Sequence, residues 1–173
     1  DPQAPKGGTL RLKNPDRRTS FDKYNPLTTR GNSPGGLVIL VFETLAFASG
    51  DEPQTMYGLL AEAMQVAPDK SFVSFRLHPK ARFSNGDPVM AEDVKHSFEI
   101  GRSKFASPAY RSLFEGVSKA TVLDERTIRF DLSDKSSDMV FALGTNLYVF
   151  SRKWGLGPDG KMKPFDQVVT DLP

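Results

Sequence analysis

Two stretches of strict alternation constrain the fold of this chain more than anything else in it. Ser71–Leu77 (SFVSFRL) places Val73, Phe75 and Leu77 on one side of an extended backbone, and Thr127–Leu132 (TIRFDL) does the same with Ile128, Phe130 and Leu132. Each is preceded by a turn and another strand-like run. AEAMQV leads through Pro68-Asp69-Lys70 into the first, and ATVL leads through Asp124-Glu125-Arg126 into the second. Two hairpins separated by a helical stretch predict a mixed α+β fold, an antiparallel sheet of two hairpins with flanking helices to one side.

The helix between the hairpins is introduced by Asn85-Gly86-Asp87-Pro88, a turn in which Asn and Gly tolerate positive φ and Pro fixes the exit. Glu92 and Asp93 then suit the positive end of a helix dipole. Helical spacing puts Val94, Phe98 and Gly101 on one face and Glu92, His96, Glu99 and Ser103 on the other, so the acid/histidine cluster is expected on the solvated side. Leu37–Phe47 is apolar almost throughout and is read as a buried helix with Glu43 and Thr44 on its polar edge. Ahead of it, Thr9–Lys13 (TLRLK) is expected to be the first strand. Asn14–Gly36, punctuated by prolines and glycines, is expected to be irregular, and a passage of that length is uncommon unless it is functional.

Composition excludes some chemistry. The 173 residues contain no cysteine, which removes disulfides and thiolates, and 23 basic against 21 acidic side chains are interspersed rather than striped, which argues against nucleic acid as a partner. The longest apolar run, Leu37–Phe42, is far short of the roughly 20 residues that span a bilayer. DPQAPKGG has no basic head followed by an apolar run, so any signal peptide is expected to have been removed or to lie outside this sequence.

Candidate chemical sites are weak. Glu92, His96 and Glu99 share helical spacing, but a transition-metal site recruits three or four converging ligands, so a surface i,i+4 pair is the simpler reading and no metal site is assigned. His78 has no nucleophile partner. Gly155–Gly160 matches the G-x-G-x-x-G pattern, yet Pro158-Asp159-Gly160-Lys161 makes a turn and Pro164 blocks the helix that the motif must open. The adjacent carboxylates Asp51/Glu52, Glu92/Asp93 and Asp124/Glu125 point apart and form no acid/base dyad. Tyr110, in the loop-like SPAYR, and Tyr57 are the aromatic residues placed to stack on a ligand.

The order of APKGGTLRL, an irregular passage with NPL, FETLAF, DEPQTMYGLLAEAMQV, SFVSFRLHPKARFSNGDPVMAEDVKHSFE and DERTIRFDL resembles the family 5 extracellular solute-binding proteins, the peptide-binding components of bacterial ABC importers. Ala4–Leu12 and Glu52–Val66 look most like the YejA-like branch. The likeness is close over about the first 135 residues and looser beyond, where SRKWGLGPDGKMKPFDQVV departs from a Pro-containing turn and helix. NPDRRTSFDKYNPL is likewise more polar than the segment it matches. In that family Phe83–Glu99 is scaffold, and no catalysis is attributed to it.

The resemblance implies two lobes closing over a ligand. Residues 1–36 would be the first strand and the ligand-side passage of the large lobe, and 37–173 the small subdomain of the first lobe, in an N-terminal portion that stops before the second lobe. It implies no cofactor, a short peptide or peptide-like ligand, an inner-membrane ABC permease as partner, a periplasmic location and a monomer in the full-length protein. Arg30, Gly31, Asn32 and Ser33 map onto the passage that approaches the ligand, and Tyr110 onto an aromatic presented to the cleft. The rivals are the same fold binding an oligosaccharide or chelated metal, a hydrolase using scattered carboxylates, and a purely structural surface protein.

Overall fold

The computed structural model describes residues 7–9, 22–29, 31, 33, 35–171 and 173. Both expected hairpins are present. Strands β3 (Ala61–Val66) and β4 (Phe72–Leu77) form the first, and β5 (Val117–Val122) and β6 (Thr127–Leu132) form the second. They join into one antiparallel sheet in the order β3-β4-β6-β5. At the β4–β6 seam Val73 lies opposite Phe130 and Phe75 opposite Ile128.

The predicted inward face is the core. Val73, Leu77, Ile128 and Phe130 are fully buried, and Phe75 and Leu132 are nearly so. Each such side chain contributes about 1.5–3 kcal/mol through burial. The other face is charged, with Arg129 bonded to Asp131 (2.7 Å) and Arg76 to Glu62 (2.9 Å). Helix α2 (Ala91–Arg102) covers the apolar face, its buried Val94 and Phe98 pointing inward and Phe98 meeting Phe130 edge-on at 5.2 Å.

Helix α3 (Pro108–Ser112) packs tightly on α2. A Cβ at Gly101 would lie 2.9 Å from the Tyr110 ring. Helix α4 (Ser137–Asn146), for which the sequence pattern gave no signal of its own, is capped by Ser136, whose Oγ accepts from the Met139 amide at 3.1 Å. Among the described residues no helix is long and apolar enough to cross a membrane.

The expected helix over Leu37–Phe47 is shorter than its apolar run. Helix α1 spans Gly35–Val41, Glu43 bridges Val149, and Ala46–Ala48 becomes strand β1, paired with β2 (Met56–Gly58). Apolar content alone cannot choose between helix and strand, and here β2 and Val149 supply cross-chain partners for the backbone from Glu43 onward. At described positions 22–29, 31 and 33 the passage carries neither helix nor strand, as expected, although helix begins at Gly35. Most of the expected first strand, residues 10–13, lies outside the described residues.

Candidate functional site: the passage over residues 22–33

Three buried polar side chains fix the irregular passage from within. Asn25 is wholly buried. Its Nδ2 donates to the carbonyls of Val168 (3.0 Å) and Phe165 (3.4 Å), and its Oδ1 accepts from the Leu27 amide (3.0 Å). Lys23, 3% exposed, donates from Nζ to the Thr28 carbonyl and to Thr28 Oγ1 (3.1 Å), and Thr28 is itself buried. The Tyr24 amide donates to Val169 (2.8 Å), and the Leu27 carbonyl accepts from Ser107 at the start of α3 (2.9 Å). The passage therefore rests on the 165–169 segment and on α3, and Leu27 enters the core.

On this mount, Gly31 is exposed with φ +75°, a conformation that suits glycine. Ser33 Oγ is buried with no hydrogen-bond partner among the described residues, and a buried hydroxyl is usually bonded. Arg30 and Asn32 lie outside the described residues.

Tyr110 is not where the sequence placed it. SPAYR is not a loop: Ser107 caps a short helix by accepting from the Tyr110 amide (3.3 Å), with Pro108 opening it. The ring is 8% exposed, stacked on Tyr148 at 6.1 Å and edge-on to Phe114 at 5.4 Å. Its hydroxyl donates to the Asn146 carbonyl and accepts from the Tyr148 amide, both at 3.1 Å. Burial pushes the phenol pKa up. Both hydrogen-bonding roles of the hydroxyl are used internally, so this side chain ties α3 to the end of α4 and presents no stacking surface. Tyr57 is exposed, and its hydroxyl donates to Glu52 at 2.6 Å.

The acid/histidine helix divides differently from the expected solvated face. Glu92 and Glu99 are exposed, with Glu99 paired to Lys95 at 3.4 Å. His96 is half-buried edge-on to Phe150 at 5.8 Å, and desolvation lowers its pKa against the opposing influence of Glu99 and Asp93. Asp93 is buried. It accepts from the Met90 amide (2.9 Å) and from the Arg152 amide (3.0 Å), so one carboxylate both caps α2 and anchors the returning chain. Among the described residues no group of three or more His, Cys, Asp or Glu could hold a metal ion.

The glycine pattern at 155–160 is a turn, as expected. The Gly157 amide donates to Lys161 (2.8 Å), Leu156 bridges Met162, and no helix follows directly. Two open hollows lie away from the passage. One of about 420 Å³ is lined by Phe42, Glu43, Arg82 and Phe150, and one of about 510 Å³ by Gln54, Met56, Lys70 and Phe141.

Sequence reasoning missed Lys23, Asn25 and Thr28. The Asn-Pro dipeptide signals a turn, but nothing local reveals that Asn25 bonds to carbonyls some 140 residues onward.

Comparison with known proteins agrees with this architecture. A "Probable peptide-binding protein YejA" of Agrobacterium fabrum is 38% identical over 171 residues, covering 98% of this chain and 27% of its own length. A "Peptidoglycan-binding protein YepA" of the same bacterium is 33% identical over 125 residues, covering 68% of this chain and 20% of its own length. NikZ of Campylobacter jejuni, solved in complex with Ni(L-His), superposes with a TM-score of 0.65 at 18% identity, covering 86% of this chain and 29% of that one. The chain spans about a quarter of the length of the curated relatives it matches. The model for the bacterial extracellular solute-binding proteins, family 5 (Middle), matches residues 55–168, and the chain belongs to that family.

Proposed function

We propose that this chain is part of the periplasmic binding component of a bacterial ABC importer, which captures a peptide or peptide-like solute between two lobes and delivers it unaltered to a membrane permease. In this reading residues 1–36 contribute the ligand-side passage of the larger lobe, 37–173 form the small subdomain beside it, and the full-length protein works as a monomer. Family membership and the peptide-binding name of the Agrobacterium fabrum YejA relative support it.

The observation that carries the reading is the passage itself. It is irregular yet held by the hydrogen bonds of Asn25 and Lys23, and it keeps an exposed Gly31 and a Ser33 hydroxyl with no partner among the described residues. An extended peptide is recognised largely through its main-chain hydrogen-bonding groups, and a pre-organised row of such groups binds it without first having to be ordered. Arg30 and Asn32 belong to the same proposed contact. A second reading, a glycan-bearing peptide, is favoured by the peptidoglycan-binding name of the YepA relative.

A thermal-shift titration of the full-length protein against short peptides, glycan-bearing peptides, oligosaccharides and metal chelates tests both. Saturable stabilisation by peptides is expected, because a ligand that binds only the native state raises its stability. A shift with oligosaccharides or chelates and none with peptides overturns the peptide reading. Ser33→Ala is expected to weaken peptide binding about fivefold, the value of roughly one hydrogen bond.

A further inference from the structure

The hollow of about 510 Å³ is built by three parts of the chain that are distant in sequence: Gln54 and Met56 of the first hairpin, Val66 and Lys70 around the β3–β4 turn, and the first turns of α4. Its walls are apolar. Val140 belongs to the core, Met56 and Val66 pack against it, and Phe141 is half-buried beside them. Two cross-ties set the polar rim by joining the β3–β4 turn to the start of α4. Lys135 Nζ donates to Asp69 at 3.0 Å, and Lys70 Nζ donates to Ser137 Oγ at 2.7 Å. Lys70 is presented from a left-handed backbone, φ +56°, fixed by the bond from its amide to the Ala67 carbonyl (2.8 Å).

That rim has a definite chemistry. Ser137 takes one of the three donors of the Lys70 ammonium, and a hydroxyl that accepts can still donate. Nζ and Oγ, 2.7 Å apart on residues that line one hollow, therefore form a donor pair suited to the two oxygens of a carboxylate. Asp138, in the first turn of α4 and lining the same hollow, carries the opposite sign. It would repel a plain anion seated on Lys70, whereas a ligand with an ammonium beside its carboxylate satisfies both. An α-amino acid carries these two charges on one carbon, and an apolar side chain on the same carbon matches the walls.

We infer that this hollow binds a free α-amino acid with an apolar side chain: Lys70 and Ser137 hold the carboxylate, Asp138 holds the ammonium, and Met56, Val66, Val140 and Phe141 receive the side chain. The site lies apart from the passage over residues 22–33 and does not rest on the peptide reading.

Ligand-observed NMR titration of the full-length protein with leucine, leucinamide and N-acetyl-leucine, the last two lacking one charge each, tests it. Leucine is expected to bind saturably, and each derivative about tenfold more weakly, as the loss of a charge-assisted hydrogen bond implies. Lys70→Asn removes the charge and keeps a residue that accepts the left-handed backbone. It is expected to weaken leucine about tenfold and to leave leucinamide unchanged. Asp138→Asn is expected to act in opposite directions, weakening leucine and strengthening N-acetyl-leucine. Absence of saturable leucine binding by the folded wild-type protein overturns the site. Leucine binding that is unchanged in both variants overturns it by placing the amino acid elsewhere, such as between the proposed lobes. An equal fall for leucine and leucinamide in Lys70→Asn, with Asp138→Asn silent, reduces the lysine to a brace for Ser137 and also overturns it. Peptide stabilisation is expected to be the same in both variants as in the wild type, and a loss of it in step with leucine overturns a separate site.

Discussion

Single residues in this chain are decided by where their hydrogen bonds go, and Tyr110 shows it best. Its hydroxyl donates to the Asn146 carbonyl and accepts from the Tyr148 amide, and the residue is buried. Tyr110→Phe keeps the ring packing but removes a partner from two backbone groups, so a loss of about 1–3 kcal/mol is expected in urea unfolding. If the residue instead worked mainly as a ligand platform, stability would be unchanged and only binding would fall. Gly101 makes the complementary case by shape. A methyl group there would sit 2.9 Å from the Tyr110 ring, so the gain in helix propensity from Gly101→Ala is expected to be outweighed and the unfolding midpoint to fall.

Elements are legible in the sequence where a local pattern meets a local cause. The hairpins are, because alternation selects one buried face and Asp69 and Asp124 accept from the amides of Ser71 and Arg126 within their own turns. Helix α2 is, because Val94 and Phe98 recur at its period above an acidic first turn. Helix α3 is not, since five residues carry no period, and α1 is cut short by partners that lie elsewhere in the chain. Asp93 and Asp69 then test what elements owe to single carboxylates. Asp93→Ala is expected to cost about 2 kcal/mol, because the α2 cap and the tie to Arg152 are lost together. Asp69 is held at a pKa of about 2 by hydrogen bonds from Ser71 and from Lys135, which precedes α4. Its folded-state pKa is depressed below the ordinary 3.8, so its contribution is complete above that value and disappears as pH falls through about 2. An NMR titration of Asp69 in Lys135→Ala is expected to show a midpoint moved up towards 3.8, while an unmoved midpoint would leave Ser71 as its sole cause.

At the scale of the whole molecule, α2 packs on the sheet through Phe98 and Phe130, and the 22–29 and 165–169 segments are fastened to each other through Asn25 and the Tyr24–Val169 bond. The candidate site is least legible at this scale. Asn25 is recognisable from its neighbours only as a turn residue, whereas its structural role depends on carbonyls that the fold brings back to it. That division gives a prediction with a spatial signature. Asn25→Ala leaves the carbonyl of Val168 and the amide of Leu27 without their present partners inside the protein, a penalty of about 1–3 kcal/mol for each group left unsatisfied. The penalty falls on the fastening and not on the β4–β6 seam. Native-state hydrogen exchange of Asn25→Ala should therefore show faster exchange at the amides of Tyr24 and Leu27, with the amides of β4 and β6 keeping the rates that follow from global stability alone. Uniform acceleration across the sheet would mean instead that the passage and the sheet unfold as one cooperative unit. Any rigidity of the proposed contact at Gly31 and Ser33 would then belong to the core, and Asn25 would have no special hold on it.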